Sequence, residues 1–155
     1  MASHDNRIFR TNIVWLVLAT LSSFLIGAIF NLFAGIGAGI AGGILWWGLI
    51  ERPAKPTLIR GGLFGFLTVL FAHPLMWLIG GVFGHPIFYS IVSDSTETVF
   101  DFVTSLPQII TDAVFGGLLS LLITTFTIPI GVIAGLILVI LRRRFETLGI
   151  FSTKA

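Results

Sequence analysis

An apolar stretch from Ile13 to Ile50 contains no charged side chain. As a single α-helix of about 38 residues it would extend over roughly 57 Å, at about 1.5 Å per residue. The hydrocarbon core of a bilayer is only about 30 Å thick, so one straight crossing cannot use this length. Asn31 and the glycines near it suit a reversal of the chain. We therefore predict two membrane-spanning helices, near residues 13–31 and 35–50, joined as a hairpin.

The composition indicates that lipid is the solvent for much of this chain. Hydrophobic residues make up 55% of it and charged residues 10%, against about 45–50% and about 25% in soluble domains. A soluble chain this short could not bury so much apolar surface. It contains no cysteine, which excludes disulfides, thiolate metal sites and cysteine nucleophiles. The net charge of +2 comes from residues beside apolar stretches, so we expect no nucleic-acid partner.

Two more apolar stretches follow a polar linker at residues 51–57. They predict a third span near residues 58–83 and a fourth near residues 113–141. Each contains one proline, Pro74 in the third and Pro129 in the fourth. Because proline removes a backbone hydrogen bond and crowds the preceding turn, we expect a kink at each position.

The segment between these spans, residues 84–112, carries acidic residues and neither lysine nor arginine. In it, Asp94 and Glu97 have the three-residue spacing of a capped helix start. Apolar residues at helical spacing follow, with polar residues between them. The pattern predicts a short amphipathic helix near residues 95–106 that ends at Pro107, lying on the membrane surface or over the bundle.

The positive charges orient these spans. All nine lysines and arginines lie in or directly beside residues 1–12, 51–57 and 142–155. Four spans place these three segments on one side of the membrane, and the positive-inside rule assigns that side to the cytoplasm. The sequence thus predicts a single all-α domain over residues 1–155. It is an integral membrane bundle of four transmembrane helices, arranged as two helical hairpins, with both termini cytoplasmic and the amphipathic helix in the outer loop.

Small residues recur four positions apart in every predicted span. This spacing places them on one helix face, where a second backbone can approach closely. We expect this packing within the chain or, at Gly35, Gly39 and Gly43, against another subunit. The predicted helix-packing residues are Ala19, Ser23, Gly27, Gly35, Gly39, Gly43, Gly61, Gly65, Gly116, Ser120, Gly131 and Gly135.

Polar groups inside the predicted spans are few. His73 is the one ionisable side chain away from the span ends. It is a weak candidate for a cofactor ligand such as a haem ligand, and otherwise a neutral histidine that is hydrogen-bonded within the bundle. A polar path through the membrane would have to use this histidine with Thr68, Thr124, Thr125 and Thr127. The pattern identifies no cofactor and no metal site.

The basic cluster formed by Arg142, Arg143 and Arg144 ends the fourth span. Guanidinium groups at this level attract anionic lipid headgroups and also fix the orientation of the preceding helix. On the opposite side of the membrane, His85 and the acidic residues of the outer loop are the remaining candidates for acid–base chemistry or metal binding. Their spacing matches no metal-binding or catalytic motif.

Three functions follow from these patterns. The first is a non-enzymatic protein that acts by helix association, as an accessory subunit of a larger membrane complex or as a homo-oligomer. Its partners would be the lipid bilayer and other membrane subunits or further copies of itself. The alternative is a small transporter or channel that uses the polar path. The third is an intramembrane enzyme that uses the outer acidic loop, although we expect no enzymatic activity because no catalytic motif is present.

Overall fold

The computed structural model describes residues 2–84 and 99–148. Within these ranges the chain is helical apart from short turns and contains no strand, which confirms the all-α class. Five α-helices and one π-helical turn follow one another in the order α1 (Ala2–Ala28), α2 (Leu32–Trp46), the π-helical turn (Trp47–Glu51), α3 (Leu58–Phe83), α4 (Val99–Ile123) and α5 (Thr127–Thr147).

Three helical segments of the described chain are long and apolar enough to cross a membrane. They are Leu32–Glu51, Leu58–Phe83 and Asp101–Ile123, and a shorter apolar helix covers Ile13–Ala28. Large apolar side chains are exposed along these helices, and a bilayer would solvate them. These features are typical of a membrane protein, as the composition predicts. The count of four spans stays a prediction.

The first reversal of the chain lies at residues 29–31, between α1 and α2. Asn31 caps α2, because its Oδ1 accepts a hydrogen bond of 2.8 Å from the backbone N–H of Ala34. α2 therefore begins at Leu32, three residues before the predicted start near residue 35. The difference arises because the side-chain cap of Asn31 is sufficient to start the helix, so the turn does not extend to Gly35. Gly35 lies inside α2 and packs against Ala28 of α1.

α4 runs from Val99 to Ile123 without a break at Pro107. The prediction that a short helix ends at this proline is therefore wrong. The first residues of the predicted helix lie outside the described residues, as do Asp94 and Glu97. Proline inside a helix costs about 3 kcal/mol, but Pro107 is exposed and apolar packing resumes directly after it. Ile109 is buried and packs against Gly81 of α3, which favours continuing the helix.

The predicted fourth span, residues 113–141, is interrupted by a turn at residues 124–126. Pro129 accordingly lies in the first turn of α5, where its missing N–H is not needed. Side chains replace some of the lost backbone bonds: the hydroxyl of Thr125 donates to the carbonyl oxygen of Leu122 at 2.6 Å. The chain therefore breaks its helix one turn before the proline instead of kinking at Pro129, whereas α3 continues through Pro74 as one helix.

The helices pack in a fixed order. α2 lies between α1 and α3, and α3 also contacts α4 and α5. The early part of α3 meets α5, where Gly61 faces Gly135, and the late part meets α4, where Gly81 faces Ile109. α4 and α5 therefore lie one after the other along α3, in the opposite direction to it.

One apolar cluster joins four helices and the π-helical turn at the end of the bundle near Glu51. The rings of Trp46 and Phe64 meet edge to face with their centroids 5.1 Å apart, a favourable aromatic geometry. The buried residues of the cluster are Trp15, Ala19, Trp46, Ile50, Phe64 and Val139. This cluster closes the bundle below the cavity described next.

Candidate functional site

A cavity of about 190 Å³ lies inside the bundle, between α1, α2, α3 and the junction of α4 with α5. Most of its wall is apolar, and among the described residues that line it none is charged. The polar residues in the wall are Ser22, Ser23, Asn31, Thr68, His73, Ser120, Thr124 and Thr127. A mostly apolar cavity with a few placed polar groups is the usual form of a small-molecule site.

The structure brings together four of the five residues of the predicted polar path. Thr68, His73, Thr124 and Thr127 all line this cavity, although they come from α3 and from the α4–α5 junction. Thr125 does not line the cavity: it is exposed, and its hydroxyl donates to the carbonyl oxygen of Leu122 in α4. The prediction of Thr125 as a path residue is therefore wrong: its side chain is exposed in the turn at residues 124–126, whereas the neighbouring Thr124 lines the cavity.

His73 is the polar centre of the cavity. Its Nδ1 lies 2.8 Å from the hydroxyl oxygen of Ser120, and its Nε2 lies 3.3 Å from the hydroxyl oxygen of Thr124. Both contacts reach across from α3 to the C-terminal end of α4. His73 is thus held as a hydrogen-bonded residue of the bundle, which is the second of the two roles considered from the sequence. Ser120, which the sequence indicates only as a packing residue, belongs to the polar site as well.

Three threonine hydroxyl groups of the wall donate their hydrogens to backbone carbonyls. Thr68 donates to Phe64 at 2.8 Å, and Thr127 donates to Thr124 at 2.7 Å. The hydroxyl of Thr124 donates to the carbonyl oxygen of Ser120 at 2.6 Å. With their single hydrogens used in this way, these hydroxyl groups present oxygen lone pairs to the cavity and act towards a ligand as acceptors.

Two aromatic contacts join the α1 side of the bundle to the α5 side. Phe30 and Phe126 have ring centroids 6.1 Å apart, and Trp15 and Phe145 have centroids 5.9 Å apart near the other end. Between these contacts, residues of both helices line the cavity, among them Ile26 and Ile130.

A second cavity, of about 380 Å³, adjoins the first at the end of α3. Asn31 and Met76 line both cavities, and the side-chain nitrogen of Asn31 lies 3.4 Å from the sulfur of Met76. The second cavity also includes Asp112 and Trp77. The contact between Asn31 and Met76 therefore lies where the two cavities meet.

The predicted helix-packing residues make their close contacts within this chain. Gly35 faces Ala28, Gly39 faces Phe24, and Gly43 faces Thr20, all on α1. The expectation that this face contacts another subunit is therefore wrong, because α1 already covers it. The remaining predicted residues also meet neighbouring helices of the chain: Ala19, Ser23 and Gly27 pack against α2, Gly61 and Gly65 against α5, Gly131 and Gly135 against α3, and Gly116 and Ser120 against α3.

A buried ion pair joins the π-helical turn to α5. Arg142 donates to Oε1 of Glu51 and to Oε1 of Glu146 at 3.0 Å, and the indole N–H of Trp46 donates to the same Glu51 oxygen at 2.7 Å. Arg142 is 3% exposed, so its predicted role at lipid headgroups is wrong. Arg143 and Arg144 are exposed; for them that role stays a prediction.

The sequence contains a signal for this ion pair. Glu51 is an acid at the end of predicted span two, and Arg142 is the first base after span four. The predicted topology places both at the same membrane face. A carboxylate and a guanidinium at the ends of packed helices are expected to pair, because either charge is costly to bury alone.

The outer acidic loop gives no assembled site in the described part of the chain. His85, Asp94 and Glu97 lie outside it, and Asp101 and Asp112 are exposed on α4. Among residues 2–84 and 99–148, no group of three metal-binding side chains comes together.

Comparison of the sequence with protein-family models, with curated proteins and with solved structures gives no match. No family is therefore assigned to the chain, and its function has to follow from the geometry of the cavity.

Proposed function

We propose that this chain is a membrane protein that binds a small uncharged molecule inside its helix bundle, as the binding step of a transporter. The observation that carries the proposal is the cavity around His73. Four residues of the predicted polar path converge there from separate elements, and every described residue in its wall is uncharged. Such a wall suits a molecule that dissolves in lipid and carries a polar group, since a charged ligand would find no counter-charge.

The contacts between helices suggest a route to this site. Between the two aromatic pairs, residues of α1 and α5 line the cavity, and a molecule dissolved in the bilayer would enter there. Displacement of Met76 from Asn31 would join the cavity around His73 to the second cavity, which Asp112 lines. Opening these two boundaries in turn would move a bound molecule between the bilayer and the outer surface.

We propose four spans, with both termini in the cytoplasm, as the topology of this protein. α4 and α5 support it, because they lie along α3 one after the other and so form a single bent crossing. The turn at residues 124–126 then lies within the bilayer, where its freed backbone groups are bonded by the threonine hydroxyls. The α1–α2 pair forms the other hairpin, and Arg52, Lys55 and Arg143 lie at the cytoplasmic face.

Single cysteines test this topology, since the chain has no cysteine of its own. Lys55→Cys and Thr104→Cys both replace exposed residues. A membrane-impermeant maleimide applied to intact cells should label Thr104→Cys at once, but Lys55→Cys only after the membrane is opened. Equal labelling of both positions in intact cells, or the reverse order, would contradict the proposed topology.

Filling the cavity tests the binding function. Ala134 lines the cavity, and a phenyl ring at this position would occupy much of about 190 Å³. Ile133 is its neighbour on α5 and is 55% exposed, so Ile133→Phe is a matched control with the same added ring facing lipid. We expect Ala134→Phe to reduce binding of 4-fluorotoluene at least about tenfold, because the ligand loses its buried surface.

The measurement is ¹⁹F NMR of the probe with protein in nanodiscs, corrected for its partition into empty nanodiscs. The control variant Ile133→Phe should bind like the unsubstituted protein. If Ala134→Phe also binds equally well, the probe is held elsewhere and the cavity is not a binding site.

Association with other membrane subunits stays a prediction. The glycine faces that suggested it are covered within the chain. The exposed residues of α4, among them Phe115, Leu119 and Leu122, are equally suited to lipid, so no contact in the described residues favours a protein partner.

A further inference from the structure

The hydrogens around His73 do not suffice for all of its contacts. Four contacts meet there: Ser120 with the carbonyl oxygen of Gly117 at 3.0 Å, Thr124 with the carbonyl oxygen of Ser120, and the two ring nitrogens with the two hydroxyl oxygens. Four hydrogen bonds need four hydrogens. The two hydroxyl groups and a neutral imidazole supply three, so one acceptor is left without a hydrogen.

The distances indicate which acceptor this is. The Nδ1 contact to Ser120 is 2.8 Å and the Nε2 contact to Thr124 is 3.3 Å. We assign the missing hydrogen to the longest of the four contacts, between Nε2 and Thr124, which places the ring hydrogen on Nδ1, where it donates to Ser120. The hydroxyl of Thr124 donates its hydrogen to the carbonyl oxygen of Ser120, which is its shortest contact. In this tautomer, Nε2 of His73 is an acceptor without a donor in the cavity wall.

The other polar groups near His73 present the same chemistry. Thr68 and Thr127 also use their hydrogens on backbone carbonyls, so their oxygens accept as well. No described charged residue lines this cavity; the nearest titratable side chain in the adjoining cavity is Asp112, beyond Met76 and Asn31. The polar groups around His73 therefore offer acceptors, and elsewhere in the wall the side-chain nitrogen of Asn31 contacts the sulfur of Met76.

We propose that the occupant of this cavity is an uncharged molecule with a hydroxyl group on a small apolar body, whose hydroxyl donates to Nε2 of His73. This inference rests on the proposed binding function and names its ligand class. The size agrees, since an apolar cavity of about 150 Å³ holds benzene and this one measures about 190 Å³. A phenol-sized ring fits it. A ketone or ether of the same size offers no hydrogen and leaves Nε2 unsatisfied.

Two probes of nearly equal shape test the proposal: 4-fluorophenol and 4-fluorotoluene, in which a methyl group replaces the hydroxyl. Binding is measured by ¹⁹F NMR in nanodiscs, and the signal of the filled variant Ala134→Phe is subtracted to remove partition into lipid. We expect 4-fluorophenol to bind about tenfold more tightly than 4-fluorotoluene after this subtraction, as one buried hydrogen bond would provide.

Variants at His73 identify the acceptor. His73→Phe keeps a ring but removes both nitrogens, so the preference for 4-fluorophenol should disappear while 4-fluorotoluene still binds. His73→Gln retains a side-chain oxygen acceptor and should keep part of the preference. Thermal unfolding of each variant in the same nanodiscs confirms that the bundle is folded before binding is compared.

The possible outcomes distinguish the proposed ligand class from the proposed binding function. Equal binding of both probes, unchanged in His73→Phe, would overturn the hydroxyl ligand class while leaving the cavity as a binding site. If neither probe binds beyond the signal of Ala134→Phe, the binding function itself is wrong, and the ligand class falls with it.

Discussion

Gly65→Ala is expected to destabilise the bundle by about 3 kcal/mol or more, a large effect for the addition of one methyl group. A Cβ atom at this position would overlap the carbonyl oxygen of Gly131 and would lie 2.9 Å from the Cα atom of Val132. Both contacts are with backbone, so no side-chain rotation can relieve them. α3 and α5 would have to separate, and tightly packed interiors do not absorb such a shift without loss of contacts.

Gly62→Ala is the matched control, three residues earlier on α3. Its Cβ atom would meet only Leu136 and Val132, both at 3.9 Å, which is ordinary van der Waals contact. Alanine also has a higher helix propensity than glycine, by about 1 kcal/mol, so this variant should be as stable as the unsubstituted protein or more stable. Unfolding by a denaturing detergent, followed by the fluorescence of the buried tryptophans Trp15 and Trp46, compares the two. Equal midpoints would show that the α3–α5 contact is looser than described.

Arg142→Met is expected to destabilise the protein by about 3–5 kcal/mol, because it leaves Glu51 buried without its counter-charge. Glu51 is 5% exposed, and its second oxygen, Oε2, already lacks a hydrogen-bond partner. The double variant Glu51→Leu with Arg142→Met should recover most of the loss. A buried pair replaced by apolar side chains of similar size is often as stable as the original.

Arg143→Met provides the comparison, since Arg143 is adjacent and exposed. It should leave the unfolding midpoint unchanged in the same detergent titration. If instead both arginine variants have equal effects, the basic cluster acts as a unit at the lipid surface. The ion pair with Glu51 would then contribute nothing particular to stability, and the double variant would show no recovery.

The ion pair and the glycine contact act at two levels of the bundle. Arg142 and Glu51 fix α5 to the π-helical turn at one end, and Gly65 sets the spacing of α3 and α5 beside the cavity. A substitution at either place is therefore expected to change the shape of the cavity as well as stability. Binding experiments on these variants need the unfolding measurement as a reference.

The sequence by itself indicated that this is a membrane protein and that its fold is helical. An uncharged stretch such as Ile13–Ile50 has to satisfy its backbone internally in lipid, and only helices or closed barrels do so. The small residues at four-residue spacing also indicated tight packing, since that spacing is a local property of any helix. The polar residues Thr68, His73, Thr124 and Thr127 could be singled out because polar groups are costly in lipid and therefore rare there.

Only the tertiary structure decided which of these groups meet. Pro107 lies within a helix because α4 continues to pack on α3 beyond it. The tendency of proline to end a helix is local and does not depend on such packing. Gly39 faces α1 and not another subunit, a choice between surfaces that the spacing of small residues leaves open. Arg142 turns inward because Glu51, distant in sequence, lies beside it. Contacts between separate helices depend on rotation and register, which no single stretch of sequence specifies.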